Sequence, residues 1–182
     1  MKERGNAIVL IGFMGAGKSS VGRTLARMTG LPRFDTDEMV AARFALTIPE
    51  IFEKHGQEKF RDAETEALSK LRNQGQAIIV TGGGIVLREE NVTLLRELGT
   101  TIYLAADEET LFARISRRPT RPLLQTANPR ATLRELLEAR LPLYTRAADL
   151  EVDTSLLRHQ EVAARVLKSF EEHDHGRINP QG

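Results

Sequence analysis

The sequence contains no cysteine. That absence excludes disulfides, thiolate metal sites and a cysteine nucleophile, and it suits a reducing compartment. No apolar run approaches the roughly 20 residues of a membrane-spanning helix. Met1-Lys2-Glu3-Arg4-Gly5-Asn6 leads straight into a strand-like run, so neither a membrane partner nor a signal peptide is expected. Neither charge sign dominates: 26 basic residues face 25 acidic ones, a net charge of +1, which gives no general reason to expect nucleic acid. Internal repeats and low-complexity blocks are missing as well. What remains, 182 residues of which 41% are apolar, predicts one globular domain able to bury its own core, working in the cytoplasm as a monomer.

Short apolar runs alternate with helical patterns. Ile8-Val9-Leu10-Ile11, Ala77-Ile78-Ile79-Val80 and Thr101-Ile102-Tyr103-Leu104 read as strands covered on both faces, with Arg33-Phe34-Asp35 and Leu150-Glu151-Val152 as weaker strands. Val21, Leu25 and Met28 follow the first run at helical spacing, Asp107 is placed to cap a helix carrying Leu111, Phe112 and Ile115, and a closing helix is expected over 158–170. Strand then helix, repeated, predicts an α/β fold whose parallel sheet binds ligands at the carboxyl ends of its strands. The domain is expected to span 1–170. Within it, 36–76 reads as a helical substrate-binding region that opens its longer helix with the capping box Thr47-Ile48-Pro49-Glu50, and the proline-bearing 118–129 reads as a lid. Residues 171–182 are expected to form a disordered tail.

The strongest signal is Gly12-Phe13-Met14-Gly15-Ala16-Gly17-Lys18-Ser19, which matches G-x-x-x-x-G-K-[ST] between a strand and a helix. Its glycines let the backbone turn N–H groups inward, and the helix N-terminus adds partial positive charge, so that polyphosphate meets many donors at once. Lys18 is expected to reach the β- and γ-phosphates of ATP, and the Ser19 hydroxyl to ligate Mg²⁺. A dinucleotide fingerprint fails because no third glycine follows Gly15 and Gly17 at the required spacing, and a regulatory GTPase lacks its N-K-x-D. Small size, the insert and a lid with arginine favour a small-molecule kinase.

Other residues refine that reading. Asp35-Thr36-Asp37 ends the second strand, close to the phosphate site if that strand neighbours the first, so one carboxylate can organise the water around Mg²⁺ while the other orients a substrate hydroxyl; either could instead cap the following helix. Arg61 lies one turn from Glu64, as a ligand-facing fork or a plain ion pair. Thr81-Gly82-Gly83-Gly84 closes a strand where backbone must approach something closely, or simply turn tightly. No acidic residue ends that strand, which makes Asp35 the replacement for the usual metal-organising carboxylate. Residues 111–146 hold eight arginines against two glutamates, pointing to an anionic ligand or a solvated surface. Arg121 falls in the lid, and closure would bring it to the transferring phosphoryl group. Leu133, Leu136, Leu137, Leu141 and Tyr144 form a helical stripe interrupted by Arg140, which on an inward face needs either a ligand anion or an internal carboxylate.

Taken in order, G-F-M-G-A-G-K-S (12–19), D-T-D (35–37), F-R with Glu64 three residues on, G-G-G (82–84), R-P-L-L (121–124) and R-x-x-x-Y (140–144) resemble the shikimate kinases. The resemblance implies a P-loop fold like that of nucleoside monophosphate kinases: a five-stranded parallel sheet with helices on both faces, a helical substrate-binding region and a lid. It also implies transfer of the ATP γ-phosphoryl group to the 3-hydroxyl of shikimate, in aromatic amino-acid biosynthesis. Carried over by position, Asp37 holds shikimate hydroxyls and acts as base, Arg61 and Arg140 clamp its carboxylate, and Gly82 and Gly83 offer backbone contacts. Gly15, Ala16, Gly17, Lys18, Ser19 and Ser20 hold the phosphates, Ser19 takes Mg²⁺, Asp35 its water shell, and Arg121 the ATP phosphates. Arg158 is assigned to the nucleotide. Gln57 departs from the glutamate often found there. Competing readings are phosphorylation of gluconate or of a nucleoside monophosphate, and an ATP-binding regulatory module without turnover.

Overall fold

Every residue of the first strand is buried because helices cover both faces of the sheet it centres. The computed structural model describes residues 4–117 and 126–178. Its strands are β1 (Ala7–Ile11), β2 (Arg33–Asp35), β3 (Ile78–Val80), β4 (Gly99–Ala105) and β5 (Leu150–Asp153). All pairings are parallel in the order β2-β3-β1-β4-β5, and Leu10 sits between Val80 and Ile102. The strands connect through α1 (Lys18–Thr29), α2 (Thr36–Phe44), α3 (Ile48–Lys70), α4 (Glu89–Leu98), α5 (Glu108–Ser116), α6 (Pro129–Ala147) and α7 (His159–Ile178). This is the expected α/β architecture, and all five expected strands are present.

Local chemistry explains the helix starts. Asp35 caps α2, accepting from the N–H groups of Asp37 at 3.1 Å and Glu38 at 3.5 Å. Thr47 and Glu50 form the expected capping box on α3, and Asp107 accepts from the Thr110 N–H at 2.6 Å. The helical insert has its own small core of Val40, Ile51, Phe60, Ala63 and Ala67, so α2 and α3 form a packed unit beside the sheet. Gly56, at φ 79° and ψ 171°, breaks α3 into two segments.

Several expectations need correction. Glu89–Leu98 forms α4 after a short 3₁₀ turn at Ile85–Leu87, both unread in the sequence. The last helix continues to Ile178, so the stretch expected to begin a disordered tail at 171 is helical, anchored at Phe170 against the core. Leu141 is 47% exposed and leaves the inward stripe of α6, whereas Arg140 stays in it. Among the described residues no helix is long and apolar enough to cross a membrane.

Proximity of Asp35 to the phosphate loop was expected on the condition that β2 neighbours β1. Instead β3 lies between them. The carboxylate arrives by another route: α1 lies so close on β3 that a Cβ on Gly22 would run into Val80 Cγ2. That approach carries Ser19, at the start of α1, toward the end of β2.

Candidate active site

The loop between β1 and α1 is built from backbone. Gly15 and Gly17 adopt φ of 83° and 94°, which residues with a Cβ rarely reach, and no side chain caps α1. Its first-turn N–H groups therefore face the mouth of the loop, ready for an anion. Lys18 is buried and folds back over the loop, its Nζ donating to the carbonyls of Gly12 at 2.7 Å and Phe13 at 3.0 Å. From the far side, Thr154 Oγ1 donates to the Ala16 carbonyl at 3.3 Å, and Arg114 ties the Thr154 hydroxyl and carbonyl at 3.0 and 2.6 Å.

A pair of oxygen donors adjoins this loop. Ser19 Oγ stands 3.4 Å from Asp35 Oδ2 at the end of β2. One hydroxyl and one carboxylate, both hard oxygen donors, fit Mg²⁺, which takes few protein ligands and completes its shell with phosphate and water. The described residues contain no group of three or more His, Cys, Asp or Glu able to hold a metal.

At the other end of the cleft, three elements converge on the glycine turn after β3. An ideal Cβ on Gly82 would lie 2.5 Å from Glu64 Oε1 and 2.6 Å from Asp37 Oδ1, and one on Gly84 would strike the Arg61 guanidinium. The Gly82 N–H donates to Thr36 Oγ1 at 3.1 Å. The Gly83 carbonyl accepts from the Tyr144 hydroxyl and, at 3.5 Å, from Arg140 Nη1. Close approach, not a mere turn, is thus the reason for the glycines.

Both arginines are buried, each 9% exposed, but they are balanced differently. Arg61 pairs with Glu64, which is fully buried, while Arg61 Nε and Glu64 Oε1 have no hydrogen-bond partner among the described residues. Arg140 forms no ion pair among the described residues; it lies over the Phe13 ring at 5.6 Å and against Gly83. Among the described residues no internal carboxylate answers Arg140, and a buried cation so placed calls for an anionic ligand. Tyr144, buried and stacked on Tyr103 at 5.1 Å, is held protonated by burial and so donates to Gly83.

Burial pushes the Glu64 carboxyl from its ordinary 4.5 up to about 7, Arg61 opposing and Asp37 adding to the rise. The folded protein thus keeps a proton that the unfolded chain has released. Stability from this source is greatest below pH 4.5, falls as pH rises through 4.5 to 7, and levels off above about 7. Urea denaturation of Glu64→Gln across this range is expected to lack that decline, a difference of up to about 3 kcal/mol; identical slopes in both proteins would refute it.

A cleft of about 590 Å³ joins the ends, from Asp37, Thr81 and Gly83 past Lys18 and Ser19 to Arg114, Arg117, Leu157, Arg158 and His159. Its size suits small-molecule ligands. The structure brings together Gly15, Ala16, Gly17, Lys18, Ser19, Ser20 and Asp35 at the phosphate loop, and Asp37, Arg61, Gly82, Gly83 and Arg140 at the near end, with Arg158 at the far rim. Arg121 and most of the expected lid, 118–125, lie outside the described residues; Pro129, its last residue, begins α6. Sequence reasoning placed Arg117 only within the arginine-rich stretch 111–146, and it missed Arg33, Thr36, Thr154, Leu157 and His159. For the last three, their position after β5 was a usable signal, since ligands collect at strand carboxyl ends.

Comparison with known proteins follows the same lines. Residues 14–171 match the family model described as shikimate kinase. A shikimate kinase of Thermodesulfovibrio yellowstonii is 42% identical over 170 residues, covering 93% of this chain and 98% of that protein. One from Bordetella pertussis is 51% identical over 147 residues, 81% of this chain and 70% of that protein. Among solved structures, shikimate kinase from Acinetobacter baumannii in complex with shikimate has a TM-score of 0.88 at 36% identity, covering 93% of this chain and 94% of that one. A gluconokinase from Sinorhizobium meliloti, TM-score 0.63 at 17% identity over 99% of this chain and 100% of that one, shares the fold.

Proposed function

The chain belongs to the shikimate kinase family, an ATP-dependent kinase, and from that premise we propose how its own residues phosphorylate the 3-hydroxyl of shikimate. The observation that carries the reading is Arg140, a buried guanidinium with no carboxylate partner among the described residues, facing the same glycine turn as Arg61 and Asp37. Two guanidiniums suit the substrate carboxylate, and a neighbouring carboxylate suits its hydroxyls. Gly83, rather than Gly82, offers its N–H to the substrate, because Thr36 already engages that of Gly82.

Asp37 orients the 3-hydroxyl and takes its proton as the oxygen bonds to the γ-phosphorus and the bond to the β,γ-bridging oxygen breaks, leaving ADP. Lys18 exchanges the Gly12 and Phe13 carbonyls for the β- and γ-phosphates. The N–H groups of Gly15 to Ser20 cradle the phosphates, and Arg158 borders the nucleotide. Ser19 and a water shell ordered by Asp35 would hold Mg²⁺, which would supply positive charge against the phosphates as the γ-phosphoryl group transfers. Since loop, Asp37 and both arginines come from one chain, the active unit is a monomer, working in the cytoplasm where ATP is supplied.

The deciding experiment is coupled ADP release with Mg-ATP, with shikimate, gluconate or a nucleoside monophosphate as acceptor. Turnover is expected with shikimate. Folded, nucleotide-binding protein without shikimate-dependent turnover would overturn the assignment. Arg140→Ala is expected to raise the shikimate KM by about 30-fold or more, the cost of stripping one partner from a buried charge pair. ADP affinity should stay unchanged, and a shift there instead would place Arg140 at the nucleotide.

A further inference from the structure

Asp35 has a companion that this mechanism does not use. Arg33, at the start of β2, sends its stem past Gly22, where an ideal Cβ would sit 3.7 Å from the Arg33 Cδ, and its Nη1 donates to Asp35 Oδ2 at 3.2 Å. The same Oδ2 faces Ser19 Oγ at 3.4 Å. One carboxylate oxygen therefore stands between the hydroxyl assigned to Mg²⁺ and a guanidinium. Asp35 is 5% exposed and the Arg33 side chain 19%, so water screens this contact less than it would a surface pair. Glu38 grips the other side of the guanidinium through both oxygens, at 2.9 and 2.7 Å, which keeps Arg33 from swinging away.

We propose that Arg33 is a positioning residue that tunes the metal corner: its guanidinium shares Asp35 Oδ2 with the water shell of Mg²⁺ and so lowers the affinity of the site for the divalent cation. The inference rests on the reading of Ser19 and Asp35 as the Mg²⁺ corner. Arg33 exerts two opposing effects. It steadies the carboxylate, which favours the metal, and it cancels part of the carboxylate charge, which opposes it. Steadying is redundant, because the N–H groups of Asp37 and Glu38 already fix Oδ1 from the first turn of α2. The charge effect is not duplicated; Glu38 offsets part of it, but that carboxylate is 60% exposed and screened by water, so the guanidinium beside the buried Asp35 decides the sign. A cation repelled by a nearby guanidinium stays exchangeable, which favours departure of the metal with ADP.

The test is a titration of Mn²⁺, as a paramagnetic stand-in for Mg²⁺, into full-length protein held in excess over ADP, read by the signal of free Mn²⁺ and without turnover. Arg33→Met and Arg33→Gln, the second keeping a hydrogen-bond donor without charge, are expected to bind the metal about three- to tenfold more tightly. Arg33→Lys, which keeps the charge, should stay within about twofold of the parent. Metal-free ADP affinity should be unchanged or weaker in the two neutral variants, since a cation near the polyphosphate is lost. Metal affinity in both neutral variants equal to or below the parent value would overturn the proposal. Asp35→Asn separates the Mg²⁺ corner from the role of Arg33. Parent-like affinity in that variant withdraws the Mg²⁺ corner itself, whereas weaker binding there without tightening in the Arg33 variants withdraws only the role of Arg33.

Discussion

Asp37→Asn is expected to lower kcat by about 10²- to 10⁴-fold, the range of a lost general base. Asparagine keeps the size of the side chain and one acceptor oxygen, so the hydroxyl can still be seated, but it cannot take up the proton as the oxygen attacks. Asp37 lies in the first turn of α2, whose cap is supplied by Asp35, so removing its charge leaves the helix start intact. The expected signature is a collapse of kcat with ADP affinity and the thermal midpoint preserved. Steady-state kinetics beside an ADP titration would show it; an unchanged kcat would remove Asp37 from the chemistry.

Lys18→Met is expected to reduce kcat by at least about 10²-fold, comparable to deleting one preorganised donor to developing charge. Methionine fills the buried stem while removing the ammonium, so the effect reads on charge rather than on packing. The Gly12 and Phe13 carbonyls lose the Lys18 donor they have here, and a modest drop in stability accompanies the kinetic loss. Rapid-quench measurement of a single turnover isolates the chemical step. Retention of the parent rate in that step would refute the role given to Lys18.

The phosphate loop was legible because its geometry is local: eight consecutive residues, a strand before and a helix after, set both shape and charge. Arg140 was legible as an anomaly on an apolar stripe, yet the stripe could not say what would face it. Only the packing of α6 against the glycine turn shows Gly83 and Phe13 there and no carboxylate among the described residues. Strand order was not legible, since periodicity records which segments are buried but not which are adjacent. Asp35 illustrates the gap: the neighbour relation it was expected to need is absent, and the contact with Ser19 arises through a helix lying close on an intervening strand. Arg33 carried only a weak signal: two residues before Asp35 on a strand, it shares a face with that carboxylate, but only the fold adds Gly22 and Ser19 beside the pair. The missed α4 starts without a side-chain cap, so the usual marker of a helix start was not there to be read.

The turn at Gly82–Gly84 has a consequence for how acceptor choice can change. Its space is already filled by atoms of Asp37, Glu64 and Arg61, which arrive from two other elements. A pocket wall of this kind cannot be remodelled by growing side chains from the wall, so specificity can drift only by exchanging the arms that reach toward it. The same asymmetry bears on inhibitor design. A substrate-mimicking ring that adds bulk toward the turn meets backbone and a buried ion pair with nowhere to retreat. Growth toward Arg158 and His159 meets exposed side chains that can move aside.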